Sequence, residues 1–140
     1  MRAVVVERLL EKAKELGIDV IWTYGLHDYT PSVSSSKNRR IIMNANWKDK
    51  NELPFQLAHE IAHIINNNDC DIAFYHASFS SREMIEREAN QTALDLILKI
   101  SINLGLPFDS HKFINCFKIP PYLADKVNEL MVSYMKGSDE

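Results

Sequence analysis

Phe55-Gln56-Leu57-Ala58-His59-Glu60-Ile61-Ala62-His63-Ile64-Ile65 decides how the chain is read. The run is strongly apolar, with Leu53 leading into it, and its length and content predict a helix over 52–66. Asn51 is the expected N-cap, Pro54 falls in the first turn, and Asn66-Asn67-Asn68-Asp69 ends the helix. Inside it stands the pattern His59-Glu60-x-x-His63. Residues four apart on a helix lie about 40° from one another, so both imidazoles share a face. Such a pair can hold one zinc ion, each ring through one nitrogen. Glu60 lies about 100° around from His59. It reaches a water on the ion without ligating the ion itself, and can take that water's proton once zinc has lowered its pKa toward ~7. The competing reading is two surface histidines and a solvated glutamate. The apolar setting argues against it, because polar groups buried there need partners.

A catalytic zinc site needs a third protein ligand and an open position. A second helix is predicted from about Arg82 to Leu104, ending at Gly105. With Glu86 at 0° and about 100° per residue, Ala89, Ala93, Ile97 and Ile100 fall within about 60° of it, and Asn90 at about 40°. Glu88, Asp95 and Lys99 point the other way. Glu86 therefore sits in an apolar stripe, where an acid is costly unless paired or metal-bound. It is the expected third ligand, and a salt bridge is the alternative. Glu83, one turn earlier, competes, but the helix dipole already accounts for an acid there. Asn90 is placed to hold the free ring N–H of a metal-bound histidine.

These two segments, Phe55 to His63 and Glu86-x-x-Ala89-Asn90-x-x-Ala93, together resemble the ImmA/IrrE family of metallopeptidase-like proteins. The compact members encoded by phages and mobile elements are the most similar. The resemblance covers roughly residues 1–100, and the two-part motif is its specific component. It implies a gluzincin-like fold, zinc held by His59, His63 and Glu86, and Glu60 as the base. It also implies a regulatory role, in which a helix-turn-helix transcriptional repressor is cleaved or inactivated. The chain departs from the family pattern at Thr92, where Phe is common. It also departs at Leu96-Ile97-Leu98-Lys99, which lacks the usual helix-stopping proline.

Outside the motif, helical spacing predicts a helix over 2–16 stopped by Gly17, then a strand over 18–24. A turn-rich stretch from Gly25 to Ser36 follows, with a second strand near Ser32 and a third over Arg40–Asn44. The three strands are expected to form a small meander. Asp109 or Ser110 caps a short helix, and Pro120-Pro121 opens a last one running to about Met135. Leu123, Val127, Leu130, Met131 and Tyr134 have core spacing, with a partner face as the alternative. Tyr75 and His76 lie between the two metal-binding helices, so either could donate to the oxyanion formed when water attacks a carbonyl; the alternative is packing for Tyr75 and exposure for His76. His27 and His111 read as surface residues.

The expected architecture is thus an α+β zincin-like domain, one unit over 1–140, with a core over about 1–105 and C-terminal helices over 106–136. A net charge of -3 offers no electrostatic case for direct nucleic-acid binding. Cys70 and Cys116 form neither a disulfide framework nor a Cys-x-x-Cys metal pair and read as reduced, Cys116 facing the core. Glu7, Arg8, Glu11 and Lys12 interrupt the early apolar run, so no secretory leader is expected. No run approaches the ~20 apolar residues of a membrane span, and a cytoplasmic location is expected. The expected activity is zinc-dependent hydrolysis of a peptide bond in a regulatory protein. The alternative is a binding protein that sequesters a repressor around a structural zinc without cleaving it.

Overall fold

The apolar stripe of the first residues folds as α1 (Arg2–Glu15), burying Val5, Leu9 and Ala13. The computed structural model describes residues 2–68, 79–105 and 109–138. Gly17 ends α1 as expected, at a φ of 71° that a side chain would resist. Its N–H reaches the Lys14 carbonyl and that of Ile18 the Ala13 carbonyl, a paired closure that satisfies two orphan carbonyls. Arg39 Nε adds a bond of 3.0 Å to the Leu16 carbonyl.

Three strands follow: β1 (Asp19–Thr23), β2 (Val33–Ser35) and β3 (Arg40–Asn44). They do not form a meander. The order is β1-β3-β2, with β1 parallel and β2 antiparallel to β3. Composition explains the departure. β3 is apolar across Ile41, Ile42 and Met43 and takes the centre, with Ile41 and Met43 fully buried. β2, Val33-Ser34-Ser35, is short and polar, which suits an edge. The register sets Ile21, Ile42 and Val33 opposite one another on the outer face, where all three are exposed.

The motif helix is α2 (Leu53–Ile65). Its start differs from expectation. Asp49, not Asn51, accepts from the backbone, taking the Asn51 N–H at 3.0 Å and opening a 3-10 turn over Lys50–Glu52. That turn runs into α2 through Pro54, whose missing N–H costs nothing there. The second long helix, α3 (Phe79–Asn103), starts slightly earlier than its spacing suggested. Without a proline it continues to Asn103, and Gly105 closes it at a φ of 71°. Ala89, Ala93 and Ile97 are buried on the predicted stripe, while Glu88 and Lys99 are exposed. Asp95 is only half-buried: it accepts a hydrogen bond from Tyr134 and pairs with Lys99.

α2 and α3 share the largest interface between elements. Ala58, Ala62, Ala89 and Ala93 are fully buried, and such small residues let two helix backbones come close. The sheet packs against α2 through β2 and β3, and α1 covers α2 and α3. Asp109 caps α4 (Ser110–Phe117), accepting from the His111 and Lys112 N–H groups. A 3-10 turn, Pro121–Leu123, leads into α5 (Ala124–Ser138), which packs on α3 and α4. Leu123, Val127 and Met131 are buried in the core, with Leu130 and Tyr134 packed against it, so that face of α5 is core. Cys116 is partly buried against the same cluster. Among the described residues no helix is long and apolar enough to cross a membrane.

Candidate metal centre

The four-residue spacing of His59 and His63 delivers both rings to one face of α2, with centroids 4.6 Å apart. The predicted stripe of α3 brings Glu86 against them. His59 Nε2 lies 2.9 Å from Glu86 Oε2, and His63 Nε2 lies 3.3 Å from Glu86 Oε1. The two Nε2 atoms are 3.0 Å apart. Glu83 points elsewhere, toward Arg87 on the exposed side of α3.

The far sides of both rings are held by amide oxygens. His59 Nδ1 sits 2.7 Å from Asn90 Oδ1, and His63 Nδ1 sits 3.2 Å from Asn68 Oδ1. A nitrogen facing an acceptor carries the proton, which leaves Nε2 of each neutral ring as a bare lone pair. On the opposite side each Nε2 meets a Glu86 oxygen, to which a charged ring donates a proton and beside which a neutral ring offers a lone pair to an ion. With both rings neutral, that set asks for a cation. Its spacing fits one too, because a tetrahedral metal with bonds of 2.0–2.1 Å separates its ligands by about 3.3 Å. Among the described residues, His59, His63 and Glu86 form a group of side chains close enough together to hold a metal ion.

Glu60 is 7% exposed on the same helix. Burial pushes its carboxyl above the ordinary value of 4.5. The rings of His59 and His63 and a hydrogen bond from Ser34 pull the other way, and the charge of Glu86 adds to the rise. Burial alone would lower His63, but its hydrogen bond to Glu86, the charges of Glu86 and Glu60, and Asn68 outweigh it. The net shift is above 6.5. These groups line a cleft of about 640 Å³. Ser32, Val33 and Ser34 form one wall, and His59, His63 and Glu86 the other.

His59, Glu60, His63, Glu86 and Asn90 thus lie together. Tyr75 and His76 fall outside the described residues, as does Cys70. His27 and His111 are exposed. Three neighbours escaped the reading of the sequence. Asn68 follows a helix end in which Asn67 adopts a φ of 56°. Asn67 N–H meets the Ile64 carbonyl and Asn68 N–H the His63 carbonyl, which carries the Asn68 side chain back to the ring. The triple asparagine is the available signal, although by itself it marks only the end of a helix. Ser34 looked like one more loop serine. Tyr122 accepts from Asn90 Nδ2 at 2.7 Å, and no local pattern links residues 32 apart.

A histidine pair and a carboxylate on two packed helices, beside a buried glutamate in an open cleft, define a metal-dependent hydrolase type of centre. The sequence model Peptidase_M78, the IrrE N-terminal-like domain, matches residues 13–114, and the chain belongs to this peptidase family. Comparison with curated proteins and with solved structures gave no match.

Proposed function

We propose that the chain is a zinc-dependent metallopeptidase of zincin-like, gluzincin-type build. It hydrolyses a peptide bond in a cytoplasmic regulatory protein. The observation that carries this reading is the convergence of His59 Nε2, His63 Nε2 and Glu86 within about 3 Å of one another, both rings being backed by amide oxygens. His59, His63 and Glu86 hold the ion, and Asn90 holds the His59 ring. When bound, zinc acidifies a water and polarises the scissile carbonyl. Glu60 takes the proton of the attacking water and later gives it to the leaving amine. A carboxyl lifted above its ordinary value suits both halves of that task, and Ser34 holds it in place. Tyr75 and His76 remain the proposed oxyanion donors.

β2 supports a peptide substrate. It lies at the edge of the described sheet and lines the cleft, so its outer backbone groups can pair with an extended chain. The resemblance to phage and mobile-element proteins supports a helix-turn-helix repressor as that substrate. The C-terminal helices share one hydrophobic cluster with α1, α2 and α3, which supports one domain over 1–140, with a core over about 1–105 and helices over 106–136.

The test is Glu60→Gln, assayed on the repressor of the same genetic element with zinc content measured alongside. Cleavage should fall by about 10²–10⁴-fold while zinc is retained. Cleavage at the wild-type rate would sink the mechanism. Tight binding without cleavage by wild type and variant alike would favour sequestration around a structural zinc.

A further inference from the structure

Asn90 is held at both ends. Its Oδ1 faces His59 Nδ1 at 2.7 Å and its Nδ2 donates to the Tyr122 hydroxyl at 2.7 Å. Tyr122 lies beyond the segment matched by the family model, which ends at residue 114. Its ring is 56% exposed, so it contributes little to the core. Its backbone is nevertheless well placed. It sits in the 3-10 turn Pro121–Leu123, where Leu123 N–H returns to the Pro120 carbonyl at 3.0 Å and the Leu123 side chain is buried.

A primary amide bonded only at one end can turn about its last torsion and exchange oxygen for nitrogen. The amide nitrogen is a pure donor. With the phenol oxygen accepting from it, Oδ1 is left facing His59. That oxygen accepts from the Nδ1 N–H, so an amide anchored at its far end holds the His59 ring in this orientation. We infer that Tyr122 is a positioning residue for the metal centre: by anchoring the Asn90 amide it fixes the ring orientation of His59. His63 has no such dependence, because Asn68 is tethered to it through the adjoining helix end. The inference rests on reading His59 as a ligand, but part of its test does not.

The experiment begins with metal-free protein above the range where the rings are charged. Ring-nitrogen chemical shifts of His59 and His63 are compared in wild type and Tyr122→Phe. The His59 shifts should change as its Nδ1 hydrogen bond loosens, and those of His63 should stay. Chelator competition then measures zinc affinity across Tyr122→Phe, Asn90→Ala and the double variant. Tyr122→Phe should weaken zinc by about three- to tenfold, at or below the low end for residues that support a ligand. It should add nothing in the N90A background. Unchanged His59 shifts would overturn the inference, as would a Tyr122→Phe loss that persists in the N90A background. A wild type that binds no zinc would instead sink the metallopeptidase reading, and the metal-free shifts would still decide the role of Tyr122.

Discussion

The two walls of the cleft are built on opposite principles. The helical wall, α2 and α3, is held by close apolar packing around Ala58, Ala62, Ala89 and Ala93, and its chemistry follows from the four-residue repeat. The strand wall meets the cleft through Ser32, Val33 and Ser34 and is organised by one buried amide. Asn44, fully buried, donates to the His27 and Thr30 carbonyls at 2.7 Å and accepts from the Asn46 N–H at 2.9 Å. Its own backbone N–H meets Ser32 Oγ at 3.0 Å. One wall should therefore lose metal when damaged, and the other should lose shape and stability.

The largest effect that would break this division is expected at Glu86. Glu86→Ala should weaken zinc retention by more than about 100-fold, beyond what loss of a supporting residue costs, with the strand wall undisturbed. Chelator competition and circular dichroism check the two halves; wild-type retention would remove Glu86 as a ligand. Acidification sharpens the same point. The folded pKa of His63 lies above its ordinary 6.5, so the metal-free protein binds a proton there that the ion must displace. Zinc affinity should fall as pH drops through that raised value. The stabilisation His63 gives the metal-free protein runs the other way: it is present below 6.5 and lost as pH rises through the folded pKa. The gap between metal-loaded and metal-free melting temperatures should widen with pH, and a gap that narrows would contradict the assignment.

Asn44→Ala should cost about 2–3 kcal/mol, because it strands carbonyls and an N–H that it now satisfies. Zinc affinity in the folded variant should stay near wild type. A large loss of metal would show that the walls are not independent. The smallest effect is expected where Thr92 exchanges hydrogen bonds with Asn66 at 3.3 and 3.4 Å, joining the end of α2 to α3. Thr92→Val should cost about 0.5–1.5 kcal/mol in denaturant unfolding. No change would leave packing alone to hold the helices together.

The helical wall was legible in the sequence because its information is local. Spacing placed His59 with His63 on one face, and Glu86 with Asn90 on one stripe. The helix limits were near their observed places, and the cap at Asp49 was missed because Asn51 is an equally good capping residue type. The strand wall was less legible. Three short strands show apolar content without showing which pairs with which, and the parallel contact of β1 with β3 depends on the whole intervening chain. Asn44 reads as the last residue of a strand, since nothing nearby reveals how many groups it will satisfy. Tyr122 is the extreme case, a single hydroxyl brought to Asn90 by packing across 32 positions.

The two helices that carry the proposed ligands also bear on the statistics of the unfolded chain. His63 and Glu86 are 23 positions apart, so an ion joining them closes a loop of that length. Closing it while the protein is unfolded would carry an entropic cost that the folded protein has already met. A metal held there would be a reversible stitch as well as a reagent, and its binding energy would add to folding energy. Scarcity of the ion would shorten the lifetime of the molecule at the same moment that it stopped the chemistry. The quantity of surviving protein would itself record the metal supply.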